Sequence, residues 1–170
     1  MDSKRSIMSP EFKVGDMAVY PAHGVGEIKS IEDREIAGNR HKFYILKILD
    51  TGMTIMVPTG NVRNVGLREI INPNEVDIVY DILGERDISI NEQTWNRRYR
   101  EYMDKIKTGS IYEIAEVLRD LMLMRYEKEL SFGERKMLDT ARTLIVKELA
   151  IAQEDEEEVI AEESDRIFEE

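Results

Sequence analysis

The feature that most constrains the fold is a change in hydrophobic period near Ile71-Asn72-Pro73-Asn74. Before this point, short apolar runs are separated by turn residues, a pattern typical of β-strands. After it, apolar residues recur every three or four positions, as on one face of a helix. We therefore predict an α+β protein, with a β domain over residues 12–71 and a compact helical domain over residues 72–153.

The β domain is predicted from its apolar runs and its turns. Tyr44–Leu49 and Met53–Pro58 are apolar runs, and Asp50-Thr51-Gly52 between them has the length of a hairpin turn. Ala37-Gly38-Asn39 marks an earlier turn, and glycines punctuate Pro21–Gly26. Four or five short strands in so short a segment are too few for a β-sandwich. We predict a small, strongly bent barrel of the SH3 or Tudor type.

The helical domain is predicted to hold four or five helices. Its first helix has apolar residues at helical spacing and stops at Gly84. The apolar face of this first helix comprises Val76, Val79, Tyr80 and Leu83. A second helix is expected from Trp95 to Lys107. Its apolar stripe comprises Trp95, Tyr99, Tyr102, Met103 and Ile106.

Two further helices are marked by their first residues. Ser110–Glu113 and Ser131–Glu134 each have the form of a capping box, in which a serine hydroxyl and a glutamate satisfy free backbone donors. We expect a helix to begin at each serine. The second of these helices should run to about Gln153.

The acidic charge of the chain is concentrated at its C-terminal end. The net charge is −11, and residues 151–170 contribute ten acidic side chains and one basic side chain. We expect residues 154–170 to be a solvated acidic tail, and residues 1–11 to be a flexible N-terminal extension. Because most of the acidity is terminal, the net charge does not exclude binding to DNA.

Cysteine content and hydrophobic run length narrow the class of protein. The chain has no cysteine, so neither a disulfide framework nor a thiolate metal site is possible. No run approaches the ~20 apolar residues that span a bilayer, and the N-terminus lacks the apolar run of a signal peptide. We expect a soluble, cytoplasmic protein.

Residues that could support catalysis are sparse. His23 and His41 are the two histidines, and no metal-binding spacing joins them. Pro21–Gly26 is rich in glycine but lacks the ending of a phosphate-binding loop and does not lead into a predicted helix. Its glycines better suit a sharp turn between strands. We therefore expect no enzymatic activity, no bound metal and no cofactor.

One segment of the helical domain is notable for its charge. Trp95 is the single tryptophan, and Arg97, Arg98 and Arg100 follow it closely. Residues 95–107 hold five basic and two acidic side chains. This local excess of positive charge lies inside a protein that is acidic overall.

Two interpretations of this segment remain open from the residues alone. In the first, the indole of Trp95 is part of the core, and the basic side chains pair with neighbours at i,i+4 spacing, as in Arg97–Glu101 and Glu101–Lys105. In the second, a half-exposed indole begins the helix among arginines that bind phosphates. An apolar wedge beside basic residues is how many minor-groove binders hold a distorted base step.

The chain resembles the CarD/CdnL family of bacterial transcription regulators, in particular its myxobacterial CdnL type. The likeness covers about residues 12–152 and consists of several collinear motifs at consistent spacing. In the β domain the motifs are Phe12–Asp16, Val19–Pro21, His23–Gly26 and Val65–Arg68. In the helical domain they are Trp95–Tyr99, Ala115–Leu121 and Leu130–Leu138.

The resemblance implies a role for the β domain. It would be a Tudor-like domain, of a type shared with the transcription-repair coupling factor, that binds the β subunit of RNA polymerase. Its contacts would include Arg34 on the second strand, and Met56 and Pro58 on the fourth. Some relatives have arginine where Met56 stands, so an apolar contact is expected at this position.

The resemblance implies that the helical domain contacts promoter DNA near the upstream edge of the melted region, weakly and with little sequence preference. Trp95 would wedge into the minor groove and stabilise the open complex, with Arg97, Arg98 and Arg100 on the DNA backbone. The protein would act as a monomer. The alternative is a protein–protein adaptor whose helical domain binds a partner protein and whose Trp95 lies in the core. Solvent exposure of the indole separates the two.

Overall fold

The computed structural model describes residues 10–87 and 95–169, and of Trp95 it describes the backbone alone. The chain divides into two compact units between Ile70 and Ile71. The first unit is built from strands and the second from helices, so the predicted α+β class is confirmed. Most of the predicted N-terminal extension, residues 1–9, lies outside the described residues.

The β unit is one five-stranded antiparallel sheet. Its strands are β1 (Met17–Tyr20), β2 (Gly24–Ile36), β3 (Asn39–Ile48), β4 (Thr54–Pro58) and β5 (Arg68–Glu69). In space they follow the order β4-β3-β2-β1-β5. The register of β2 against β3 shifts between Ile28 and Ser30, an irregularity that bends a strand. The fold is the small Tudor-like unit that the runs and turns predicted.

Alternating side chains on the strands build the core of this unit. Ala18, Ile28, Leu46 and Val57 come from four different strands and are buried together. Burying a side chain such as Leu46 stabilises a fold by about 1.5–3 kcal/mol. A short helix that the sequence pattern does not predict, α1 (Val62–Val65), adds its first residue to the same core.

Glycines allow a tight turn and a close contact between strands in the β unit. The β2–β3 hairpin turns at Ala37 and Gly38, whose φ angles of 52° and 82° match the twist of the flanking strands. Gly26 packs so closely that a Cβ would lie 2.7 Å from the Cδ1 of Leu46. The turn from β1 into β2 is formed by residues 21–23, and Gly24 and Gly26 already belong to β2, so the segment leads into a strand, as expected.

The helical unit contains five α-helices in the described residues. They are α2 (Val76–Gly84), α3 (Trp95–Lys107), α4 (Ile111–Glu127), α5 (Phe132–Gln153) and α6 (Glu157–Ile167). Helix α4 packs against α2, α3 and α5, and α6 packs against α5 and α2. Within residues 10–87 and 95–169, no helix is long and apolar enough to cross a membrane.

The two predicted capping boxes have different outcomes. At α5 the box is present: the Ser131 side chain accepts a hydrogen bond from the Glu134 N–H, and the Glu134 carboxylate accepts one from the Ser131 N–H. Ser110 lies at the N-cap of α4, but its side chain makes no capping hydrogen bond. The Ser110 N–H donates to the hydroxyl of Thr108 at 3.2 Å. The predicted box was therefore wrong at α4 because a nearby threonine takes the donor that Glu113 was expected to satisfy.

The predicted apolar stripe of α3 is confirmed in part. Tyr102 and Ile106 are buried and Met103 is half-buried, whereas Tyr99 is 43% exposed. Among the described side chains, the stripe reaches the core only in the C-terminal half of the helix. Tyr99 is therefore a member of the predicted stripe that is not buried.

The expectation of a solvated tail over residues 154–170 was wrong for most of that segment. Helix α6 buries Ile160, and Phe168 just after the helix is also buried. An ion pair of 2.9 Å between Arg142 and Asp165 joins α6 to α5. The charge count was misleading because apolar residues at helical spacing bury one face of α6 while its acidic side chains lie on the outside.

Candidate interaction surfaces

Strand register brings the three candidate residues of the β unit to one face of the sheet. Glu32 on β2 pairs with Phe43 on β3, and Phe43 pairs with Pro58 on β4. Arg34 and Met56 each lie two residues from a member of this row along the same strand. Because side chains alternate with a period of two, all five residues share a face.

This face is apolar at β4 and charged at β2. Met56 is 40% exposed, while Pro58 and Ile45 are half-buried. Arg34 donates hydrogen bonds of 2.8 Å and 3.1 Å to Glu32. An apolar centre beside a charged rim is the usual anatomy of a protein-binding surface.

Glu32 and Ile45 are members of this face that the sequence does not single out. Glu32 could have been found by its period-two spacing from Arg34. Ile45 could not, because its place beside Met56 depends on the register of β3 against β4.

Two of the candidate DNA-binding residues are exposed on the first turns of α3. The side chain of Arg97 is 71% exposed and lies 3.9 Å from Glu101, the pair predicted from i,i+4 spacing. Arg100 is also exposed. A surface pair of this kind contributes little, so Arg97 is accessible to a ligand. The side chain of Trp95 lies outside the described structure.

Side-chain contacts hold α3 alongside α4. The hydroxyl of Tyr102 donates to Asp120 at 3.3 Å, and Lys105 lies 2.7 Å from Glu116. The ion-pair partner of Lys105 is therefore a carboxylate on the neighbouring helix and not Glu101, the i,i+4 neighbour that the first interpretation gave it. Burial raises the pKa of Asp120, although the guanidinium of Arg119 acts in the opposite direction.

Arg98 differs from Arg97 and Arg100. Its side chain is only 14% exposed, and its Nη1 lies 3.6 Å from the Oε2 of Glu134 on α5. The same nitrogen lies 3.9 Å from the Sδ of Met124 on α4. The guanidinium is thus directed at a buried carboxylate between three helices.

Glu134 is the centre of this contact. Its side chain is 4% exposed, and the ammonium of Lys128 lies 3.3 Å from the oxygen that faces Arg98. Burial acts to raise the pKa of Glu134, but hydrogen bonds from Ser131 and the charge of Lys128 outweigh it, so the pKa is lowered. Glu134 is therefore an anion at neutral pH that pairs with two cations and caps a helix.

Other residues at the end of α4 and on the first turns of α5 are exposed. Phe132, the first residue of α5, is 77% exposed. Arg125 and Lys128 at the end of α4 and Lys136 on α5 are exposed as well. The sequence does not single them out, because their exposure depends on how the helices pack.

The two histidines of the β unit are a turn residue and a strand residue. His23 lies in the turn before β2 and His41 lies on β3, and both are exposed. Across the described residues, no group of three or more potential metal ligands occurs.

Comparison with known proteins assigns the chain to a family. Residues 12–71 match the model of the CarD-like/TRCF RID domain, and residues 78–165 match the model of the CarD C-terminal domain. The chain belongs to the CarD family. The resemblance expected from the motifs is confirmed, and the CarD-like family is one of transcription factors.

One curated protein and two solved structures are similar to all or part of this chain. YdeB, a proposed transcription factor of Bacillus subtilis (strain 168), is 38% identical over 142 residues, which are 82% of this chain and 91% of YdeB. The solved structure of CdnLNt from Myxococcus xanthus is 58% identical, with a TM-score of 0.31, and covers 38% of this chain and 90% of its own. The 72-residue N-terminal domain of Myxococcus xanthus CarD is 35% identical, with a TM-score of 0.31, and covers 36% of this chain and 83% of its own.

Proposed function

We propose that this CarD-family protein binds the β subunit of RNA polymerase and promoter DNA, and that it stabilises the open complex. Residues 12–71 would be the polymerase-interacting domain and residues 72–153 the DNA-contacting domain. The main support for the proposed DNA contact is the exposure of Arg97 and Arg100 on the first turns of α3, in an otherwise acidic chain. The protein would act as a monomer in the cytoplasm, without a cofactor and without catalysis.

The proposed polymerase contact is the face of the sheet that carries Arg34, Met56 and Pro58. The apolar side chain of Met56 offers desolvation energy at the centre of the contact. Arg34, paired with Glu32 at the rim, offers charge complementarity, which affects association rate and partner choice more than affinity.

The proposed DNA contact begins at Trp95. We propose that its indole enters the minor groove at the upstream edge of the melted DNA and holds a distorted base step. Arg97 and Arg100 would bind phosphates, which fixes the position of the protein without reading sequence. Phe132 and Lys136 are suitably exposed to extend this contact.

Free protein should bind duplex DNA weakly. Each phosphate contact adds only about 0.9 to the logarithmic salt dependence, and a chain with a net charge of −11 is repelled by the duplex. Attachment to polymerase would raise the local concentration of promoter DNA to roughly the millimolar range. Nanomolar binding of the free protein at physiological salt would contradict this part of the proposal.

The lifetime of the open complex tests the function directly. Polymerase–promoter complexes are challenged with a competitor, with and without the full chain, and the protein should lengthen their lifetime. Arg97→Ala/Arg100→Ala should remove most of this effect, because it deletes two phosphate contacts. Arg97→Ala/Lys107→Ala is the matched control, since Lys107 is another exposed basic residue and lies at the C-terminal end of the same helix.

Two outcomes would overturn the proposal. One is an unchanged lifetime when the protein is bound to polymerase, which would favour an adaptor that binds a partner protein through its helices. The other is an equal effect of the two double variants, which would mean that the charge of α3 matters and the position of Arg100 does not.

A further inference from the structure

The contact between Arg98 and Glu134 joins the first turns of α3 to the start of α5. Arg98 lies between the two residues that the proposed function places on DNA, yet its side chain is only 14% exposed. Its charged partner is more deeply buried still, at 4% exposure. A guanidinium in this setting cannot move to a phosphate without giving up its contact with a buried anion, which would keep only Lys128 as a charged partner.

Glu134 is itself held in place by α5. Its Oε1 accepts the Ser131 N–H at 3.0 Å, so the carboxylate is part of the helix cap. Lys128, at the end of α4, lies 3.3 Å from its Oε2. The carboxylate therefore stands at a fixed point where α4 ends and α5 begins, and Arg98 is the residue of α3 that reaches it.

We propose that Arg98 is a positioning residue, which through Glu134 fixes the first turns of α3 so that Arg97 and Arg100 face the DNA backbone. This inference rests on the proposed function, because it concerns how the same surface is held. It departs from the family resemblance, which placed Arg98 among the backbone contacts. The role of Arg98 is to set the direction of its neighbours.

The two roles predict opposite effects of neutralising Glu134. If Arg98 binds a phosphate, Glu134→Gln removes a nearby anion and should strengthen binding to DNA or leave it unchanged. If Arg98 is a positioning residue, Glu134→Gln removes its partner and should weaken binding. Glutamine keeps the shape of the side chain and one oxygen for the Ser131 N–H.

The experiment measures the affinity of the full chain for polymerase–promoter complexes over a series of salt concentrations. Arg98→Met, Glu134→Gln and the double variant are compared with the parent. We expect each single variant to weaken binding several-fold, with the salt slope of the parent retained. The double variant should be no weaker than either single variant, because the two residues act as one unit.

Ser131→Ala is the control for a general loss of stability. It removes the hydroxyl cap of α5 and leaves both charges of the Arg98–Glu134 pair in place. We expect it to lower the melting temperature without weakening binding at a temperature where it is folded. Emission of the single tryptophan, three residues before Arg98, should change in Arg98→Met and Glu134→Gln and stay unchanged in Ser131→Ala.

Three results would overturn the inference. A fall in the salt slope of about 0.9 in Arg98→Met would identify a phosphate contact. Stronger or unchanged binding by Glu134→Gln would do the same. Equal weakening by Ser131→Ala would reduce the pair to a general stability role. If Arg97→Ala/Arg100→Ala leaves binding and open-complex lifetime unchanged, the proposed function fails instead, since the residues to be positioned would have no role.

Discussion

The two units carry similar ion pairs in opposite settings. In the β unit, Arg34 and Glu32 lie two residues apart on one strand, and their side chains are 53% and 40% exposed. In the helical unit, Arg98 and Glu134 come from different helices and are 14% and 4% exposed. Water screens the first pair, whereas loss of one partner of the second leaves a buried charge. The β unit therefore presents its charges to solvent, and the helical unit uses a pair to hold helices together.

The sharpest test of this difference is the stability of two matched arginine variants. Arg98→Ala should lower the free energy of unfolding by about 3 kcal/mol, at the low end for a broken buried pair because Lys128 still faces Glu134. Arg34→Ala should lower it by about 1 kcal/mol or less, because the pair is exposed. Urea unfolding of both variants gives the comparison. Equal losses would show that the buried setting of Arg98 does not matter.

The β unit should lose binding without losing stability. Met56→Asp places a charge at the apolar part of the face, and we expect affinity for the polymerase β subunit to fall at least tenfold, or about 1.4 kcal/mol. Met53→Asp is the matched control, since Met53 is similarly exposed (46% against 40%) and lies just outside β4. A pull-down with full-length variants measures the effect. Equal binding by the two variants would place the contact elsewhere on the unit.

Lowering the pH should reduce the stability of the helical unit, because Glu134 becomes protonated. Its pKa is lower in the folded state than its ordinary value of 4.5, so it stabilises the fold above that pH. This stabilisation is lost as the pH falls from about 4.5 through the folded pKa. The Glu134→Gln variant lacks this ionisable carboxylate and its pH-dependent stabilisation. Its urea unfolding midpoint should therefore fall less steeply with decreasing pH than that of the parent. The raised pKa of Asp120 acts in the opposite direction but is common to both proteins. Parallel acid profiles would contradict the assignment.

The units also differ in how much of each surface could be predicted from the sequence. Arg34, Met56 and Pro58 were named from the family resemblance. Strand alternation alone puts Met56 and Pro58 on one face, whereas the place of Arg34 on that face depends on the register of three strands. The pairing of Arg98 with Glu134 joins residues 36 positions apart and depends on how α3 packs against α4 and α5. Arg97, Arg98 and Arg100 therefore look alike in the sequence, although one is buried.

Dependence on helix packing also explains why the structure of the acidic C-terminal segment was not predicted from the sequence. Its charge run predicted a solvated tail, and the spacing of Ile160 and Phe168 was a weaker signal than ten acidic residues. Helix α6 packs against α2 and α5, and both of those apolar residues are buried, which is a property of packing and not of composition. The helix start at Ser131 was predictable because a capping box is a local arrangement.

The smallest stability effect is expected at Trp95, where the functional loss should be large. The proposed wedge must be free to enter DNA, so Trp95→Ala should change the free energy of unfolding by about 0.5 kcal/mol or less. A buried tryptophan would instead cost about 3–5 kcal/mol. The variant should bind polymerase like the parent and fail to prolong the open complex, because the unstacked bases lose the surface that holds them apart.

Two further variants complete the test of Trp95. Trp95→Phe keeps a flat apolar face and should restore part of the effect. Arg97→Ala should lose less of the effect than Trp95→Ala, because it removes one phosphate contact among several. Melting curves and open-complex lifetimes of the three variants decide the matter. A Trp95→Ala protein that unfolds easily would place the indole in the core and favour the adaptor function.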